Sequence, residues 1–258
     1  MHREATMRRG GEDLTDALAS GDWFPALPAR KQEEVAERLV ISNFAKGDVV
    51  FHQGDRSRGL HCVVLGSLHI FGLSVGGDEA LLAIVRPGEW TGFLAALEEA
   101  EYAFEARVVE PTAVASLPLT AMKEVFECDV ETYKSLLKPL LTSTRNLYAG
   151  MTELQKPTAF QRIADRLLTL SRWPYAQAEG RVAHLDHVSQ ELVASSVGLT
   201  RQTANRMLGH LAAEGIISVR YGRIEIRAPE ALKAIAIGSP GQGWIERMSA
   251  RRHSPRAG

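Results

Sequence analysis

Long apolar runs, cysteine and net charge are all scarce in this 258-residue chain, and each scarcity excludes something. No run approaches the roughly 20 apolar residues that cross a bilayer, and no apolar core of secretory type follows the amino terminus. A cytoplasmic protein with no membrane partner is therefore expected. The two cysteines, Cys62 and Cys128, stand 66 positions apart, too few for an iron–sulfur cluster and in no metal-binding spacing. Cys62 lies within an apolar stretch, which marks a buried, inert thiol of a reducing compartment. No nucleophile with a base, no paired carboxylates and no phosphate-cradling loop stands out, so no enzyme is expected. The segment His184-Leu185-Asp186-His187 has a metal-like look, but it precedes a helical pattern in a stretch read as solvated loop. No metal, no catalytic residue and no cofactor follows from these residues.

The overall charge of −1 is a cancellation. Residues 1–156 hold 16 Lys and Arg against 23 Asp and Glu, a net of −7, whereas residues 157–258 hold 14 against 8, a net of +6. A basic half suits a polyanion, and an acidic half needs another task.

The basic half contains the most informative pattern. Ser189 and Thr200 are helix-capping types, each just ahead of an apolar helical period, with Glu191 in the first turn of the first helix. Leu192, Val193 and Val197 form the inner face of that helix, and Ala204, Met207, Leu208 and Leu211 that of the second, across a turn at Val197-Gly198-Leu199. Left facing outward at the start of the second helix are Arg201, Gln202, Asn205 and Arg206, side chains suited to guanine and adenine edges in a major groove. After Glu214-Gly215, residues 216–227 alternate apolar and polar on both sides of Tyr221-Gly222, which predicts a hairpin with a basic tip. This is a winged helix-turn-helix. Thr200, Thr203, Arg220 and Arg223 are expected on phosphates, and Arg201, Gln202 and Arg206 on bases.

In the acidic half, Phe44 to Leu117 breaks into short strand-like runs between glycine turns, and past the first two turns the spacing settles at about 11 residues, the rhythm of an all-β roll or barrel. Gln32–Leu39 predicts a small helix on that roll. His52, His61 and His69 all fall in this region, with no sign that they converge on a ligand.

Lys46-Gly-Asp-Val-Val-Phe-His-Gln-Gly-Asp55, Val64-Leu-Gly-Ser-Leu-His-Ile70 and Ile84-Val-Arg-Pro-Gly-Glu-Trp-Thr-Gly92 resemble the β-roll of the cyclic-AMP receptor protein and its relatives, the Crp/Fnr regulators of bacterial transcription. Leu199-Thr-Arg-Gln-Thr-Ala-Asn-Arg206 is similar to that family's recognition-helix motif, and the resemblance runs from about Trp23 to Leu232. It implies an α+β protein with an N-terminal double-stranded β-helix (a cyclic-nucleotide-binding-like roll), a long dimerisation helix and a C-terminal winged helix-turn-helix. It also implies double-stranded DNA with an inverted-repeat operator as partner, and RNA polymerase as a further one. The family's ribose-binding Gly-Glu-Leu turn is here Gly92-Phe93-Leu94, and its phosphate-clamping Arg-Ser pair falls near Tyr102-Ala103. A buried phosphate without a charged partner costs several kcal/mol, so cyclic AMP is not expected to bind in the family's usual way. Gly92, Phe93, Leu94, Tyr102, Ala103 and Phe104 are the candidate pocket, either filled by their own side chains or open to a small apolar ligand. The effector stays unknown, and a cyclic-nucleotide-responsive regulator with a non-standard pocket is the alternative. A ligand-binding module with a vestigial DNA-binding half is a further one.

Between the halves, Tyr133, Leu137, Leu140, Thr144, Leu147, Met151 and Leu154 are spaced 4, 3, 4, 3, 4 and 3, a heptad seam that predicts a homodimer. Pro139 lacks an amide hydrogen and predicts a kink or the start of the continuous helix near there. The expected organisation is a flexible tail over 1–20, the sensor roll over 21–118, a connecting and dimerisation helix over 119–156, the winged helix-turn-helix over 157–235 and a basic tail over 236–258.

Overall fold

The computed structural model of the chain describes residues 13–73, 79–126, 130–154, 158–171 and 183–238. The chain divides into two compact units, residues 1–148 and 149–258.

In the first unit, turns cut residues 40–118 into eight strands: β1 (Val40–Phe44), β2 (Val49–Phe51), β3 (Gly59–Leu65), β4 (Leu68–Leu73), β5 (Glu79–Val85), β6 (Trp90–Thr91), β7 (Glu105–Val108) and β8 (Thr112–Pro118). They pair antiparallel into two four-stranded sheets, ordered β1-β8-β3-β6 and β2-β7-β4-β5. Alternation along β3 decides what each face does. Val63 points between the sheets, into a core with Phe51, Leu68, Ile70, Val85, Tyr102, Ala106 and Val108. Leu60, Cys62 and Val64 point the other way, under helices α1 (Ala29–Ala36), α2 (Phe93–Glu98), α3 (Leu119–Phe126) and α4 (Val130–Leu154). Burial pushes the Cys62 thiol up to about 12, so no thiolate forms there near neutrality. Cys128 lies outside the described residues.

Three expectations are corrected in this unit. Residues 13–20 are not a flexible tail: they are helical, and Ala17 and Leu18 are buried in the core under the helices. Leu14, Ala17 and Leu18 recur at helical spacing, so docking removes one apolar face from water. The small helix expected at Gln32–Leu39 runs instead over Ala29–Ala36, started by Pro28, whose fixed φ suits a helix entrance. Pro139 does not begin the long helix, which is continuous from Val130 to Leu154.

The second unit holds α5 (Ala159–Leu170), β9 (His184–Asp186), α6 (Gln190–Ser196), α7 (Arg201–Ala213), β10 (Ile217–Arg220), β11 (Arg223–Ile226) and α8 (Pro229–Ala236). Thr158 and Gln161 form a reciprocal capping box at the start of α5, each side chain closing the other's orphan amide. The segment at His184–Asp186 is not a loop but the third strand of a sheet ordered β10-β11-β9. No helix among the described residues is long and apolar enough to cross a membrane. Lys156-Pro157 and residues 239–258 of the expected basic tail lie outside the described residues.

Candidate nucleic-acid interface and roll interior

Local chemistry builds α6 and α7 as the sequence suggests. The Ser189 hydroxyl accepts the Leu192 amide at 3.1 Å, and the Thr200 hydroxyl accepts that of Thr203 at 3.3 Å. Between the helices Gly198 takes φ of +63°, a backbone state that costs other residues about 1–2 kcal/mol. Val193, Ala194, Val197, Ala204, Met207, Leu208 and Leu211 are all buried, which fixes the roll of α7 about its axis. Arg201, Gln202 and Arg206 are consequently exposed in its first two turns.

The remaining candidates divide. Thr200 Oγ1 donates to Thr203 Oγ1 at 3.0 Å, so Thr200 is a cap, and the Thr203 hydroxyl keeps its own proton to donate outward. Asn205 does not face outward with its neighbours: it is half-buried and its Oδ1 is enclosed. It lies about 60° round the helix from the buried Leu208, at the edge of the apolar stripe. Arg201 stands 3.7 Å from Glu191 of α6, both largely exposed, a pairing of little energetic weight.

At the wing, Arg220 and Arg223 are directly opposed across the hairpin, with Tyr221 fully exposed at its tip. Like charges placed so repel. Asp186 of β9 stands beside Arg223 in the sheet, its carboxylate 3.4 Å from the guanidinium and 2.9 Å from His184 Nε2. That support was not visible in the sequence, because three residues are too few to reveal an alternating pattern.

The six pocket candidates do not come together. Phe93 is buried under the helices, 5.1 Å from the Trp23 ring, while Leu94, Ala103 and Phe104 are exposed. Gly92 begins α2, and a side chain there would press on the Gly59 carbonyl. Only Tyr102 enters the space between the sheets, stacked on Phe51 with centroids 3.9 Å apart. Its hydroxyl accepts the Arg58 amide at 3.0 Å and lies 2.9 Å from His61 Nε2, while His61 Nδ1 lies 2.8 Å from Ser116 Oγ. A neutral imidazole taking the Tyr102 proton and giving its own to Ser116 satisfies every group. Burial, reinforced by the Arg58 charge, pushes His61 down to about 4, which keeps it neutral.

His52 and His69 lie elsewhere. On the outer face of the second sheet, His52 Nδ1 is 2.8 Å from the buried Glu105 carboxylate, which also receives Arg107 at 2.6 Å. Burial pushes the Glu105 carboxyl up, but hydrogen bonds from His52 and Arg107 outweigh it and hold it below the ordinary range. Arg107 is forked onto Glu79 as well and lies 4.6 Å above the Phe71 ring. Arg107 is thus bound up on the face of β7 opposite Ala106 and Val108, away from the space between the sheets. His69 is fully buried beside Phe71. Among the described residues there is no group of three or more His, Cys, Asp or Glu arranged to hold a metal ion.

On the long helix, Thr132 and Leu136 are buried and Leu140 packs against the roll core. Tyr133, Leu137, Leu141, Thr144 and Tyr148 are exposed instead. Leu140 therefore serves the roll, and its neighbour Leu141 takes its place in the open stripe. The side chains of Leu147, Met151 and Leu154 lie outside the described residues.

A family model described as a Crp-like helix-turn-helix domain matches residues 161–235, and one described as a cyclic nucleotide-binding domain matches residues 41–129. The transcriptional regulator SdrP of Thermus thermophilus is 31% identical over 204 residues, which cover 78% of this chain and 96% of that protein. The cyclic AMP receptor protein of the same organism is 28% identical over 207 residues, covering 76% of this chain and 87% of that one. Among solved structures, a transcriptional regulator of the CRP/FNR family, also from Thermus thermophilus, matches with a TM-score of 0.59 at 27% identity, covering 77% of this chain and 98% of that chain.

Proposed function

The chain belongs to the Crp/Fnr family of transcription regulators, and from that premise we propose that it reads an inverted-repeat operator in the cytoplasm as a homodimer. One observation carries this reading: Arg201, Gln202 and Arg206 are exposed over the first two turns of α7 while the opposite side of that helix is buried. Arg suits guanine O6 and N7, and Gln suits adenine N6 and N7. Two such helices related by a two-fold axis span half-sites about one turn of DNA apart. Thr203, Arg220 and Arg223 hold phosphates, while Thr200 and Asn205 act through the helix itself. Contact with RNA polymerase is carried by the family alone.

Selection of binding sites from random DNA tests these roles. Arg206→Ala should relax one guanine position, losing about 1–3 kcal/mol there, whereas Arg223→Ala should weaken all sequences alike and flatten the salt dependence. The reverse assignment would refute them.

The same reading holds that the roll works without cyclic AMP or cyclic GMP bound in the family's usual manner. Tyr102 and Ala103 fall where the Arg-Ser clamp sits in cyclic-nucleotide-binding members, and the Tyr102 ring occupies the interior against Phe51. Isothermal titration of the full chain with either nucleotide should give no heat of binding at micromolar concentrations. Micromolar affinity for one of them would replace this reading with that of a nucleotide-responsive regulator with a non-standard pocket.

A further inference from the structure

Pro139 sits inside α4 and has no amide hydrogen, so the Ser135 carbonyl four residues earlier loses its partner in the helix ladder. The indole of Trp23 takes that place: Nε1–H donates to the Ser135 carbonyl at 3.1 Å. The ring itself is buried, edge-on to Trp90 at 5.0 Å and to Phe93 at 5.1 Å. The segment that carries Trp23 is held from its other side too. Gly21 meets Gly88 backbone to backbone, so closely that a Cβ on Gly21 would collide with the Gly88 carbonyl. A Cβ on Gly88, where φ is +83°, would in turn stand 2.5 Å from the Ala17 carbonyl. Gly88 belongs to the turn joining β5 to β6, the strand that leads into Gly92 and α2. Residues 13–27 thus bridge that turn and the long helix.

We propose that Trp23 is a positioning residue for the long helix: it docks on the one carbonyl that Pro139 leaves open, and so fixes where α4 lies on the roll. Any buried tryptophan needs an apolar slot and an acceptor for its Nε1–H. This one has a directional partner created by a proline that would otherwise weaken the helix, so the two residues form a single device. Given the proposed role as a DNA-binding dimer, on which this consequence rests, the placement of α4 sets how the exposed Leu137 and Leu141 face a second copy. Loosening Trp23 then weakens operator binding, although Trp23 touches no DNA.

A double-mutant cycle in the full chain tests the device. In Pro139→Ala the new amide competes for the Ser135 carbonyl, so the indole becomes dispensable. Trp23→Phe alone should lower affinity for the selected operator about tenfold, and the same change in the Pro139→Ala background less than about threefold. The chain has four tryptophans, and the indole ¹⁵N–¹H signal lost in Trp23→Phe belongs to Trp23. That signal should exchange slowly with solvent in the unaltered chain and at least about tenfold faster in Pro139→Ala. Equal losses in both backgrounds, or an indole that exchanges like an exposed one in the unaltered chain, would overturn the proposal. If no chain binds any operator, the regulatory reading fails, and the exchange rates still decide whether Trp23 holds Ser135.

Discussion

Leu141→Glu is expected to give a folded monomer that binds operator DNA about two orders of magnitude more weakly, because a second half-site held by a tethered partner adds a factor of roughly 10²–10⁴. Leu141 is 58% exposed within the described structure, so a carboxylate there leaves the roll core intact. It stands between Leu137 and Thr144 at heptad spacing, with Tyr148 next, and a charge in such a seam must be desolvated when two helices meet. Leu140 supplies the contrast. Its side chain packs against the core beneath the helices, so Leu140→Glu should lower the melting temperature of the roll instead of dissociating folded chains. Light scattering coupled to size exclusion separates the two outcomes. A Leu141→Glu dimer of unchanged mass and unchanged DNA affinity would place the interface elsewhere.

The difference between Leu140 and Leu141 shows where the sequence stops speaking. Heptad counting from Tyr133 selects Leu140, and nothing within the helix distinguishes it from its equally apolar neighbour. What distinguishes them is the contact with the roll, where Thr132, Leu136 and Leu140 recur every four residues against the core. The same long-range cause explains Pro139. A proline inside a helix reads locally as a kink or a start, but α4 runs on through it, and the carbonyl it leaves open takes a donor 112 positions away. The α6–α7 pair was legible for the opposite reason. Its caps, its glycine turn and its apolar period all lie within about two dozen residues, and each acts on its near neighbours. Phe93 and Leu94 occupy a family turn, yet the face each side chain takes depends on α2. That helix sends Phe93 under the other helices and leaves Leu94 in solvent. His61 and Ser116 met only through the pairing of β3 with β8, which residues 55 positions apart do not announce.

That buried pair makes the roll sensitive to acid. In the folded chain His61 is pushed down to about 4, while in the unfolded chain the imidazole returns to its ordinary value of 6.5. Between those values the unfolded chain binds a proton that the folded chain refuses, so stability falls as pH drops through the window and is unaffected by this group above it. A shift of that size corresponds to about 3 kcal/mol when complete. The carboxylates of Glu79 and Glu105 are held below their ordinary 4.5, so their loss comes later, at the acid end. Denaturant titrations of the full chain between pH 7 and 4.5 should therefore show a decline that His61→Gln reduces. The substitution itself costs stability at pH 7, because Gln cannot match the imidazole against both Tyr102 and Ser116, but its profile over that interval should be shallower than that of the unaltered chain. If the two profiles run parallel, His61 is not neutral inside the roll, and the Tyr102–His61–Ser116 chain would have to carry a charge that its surroundings could accept only with a counter-ion.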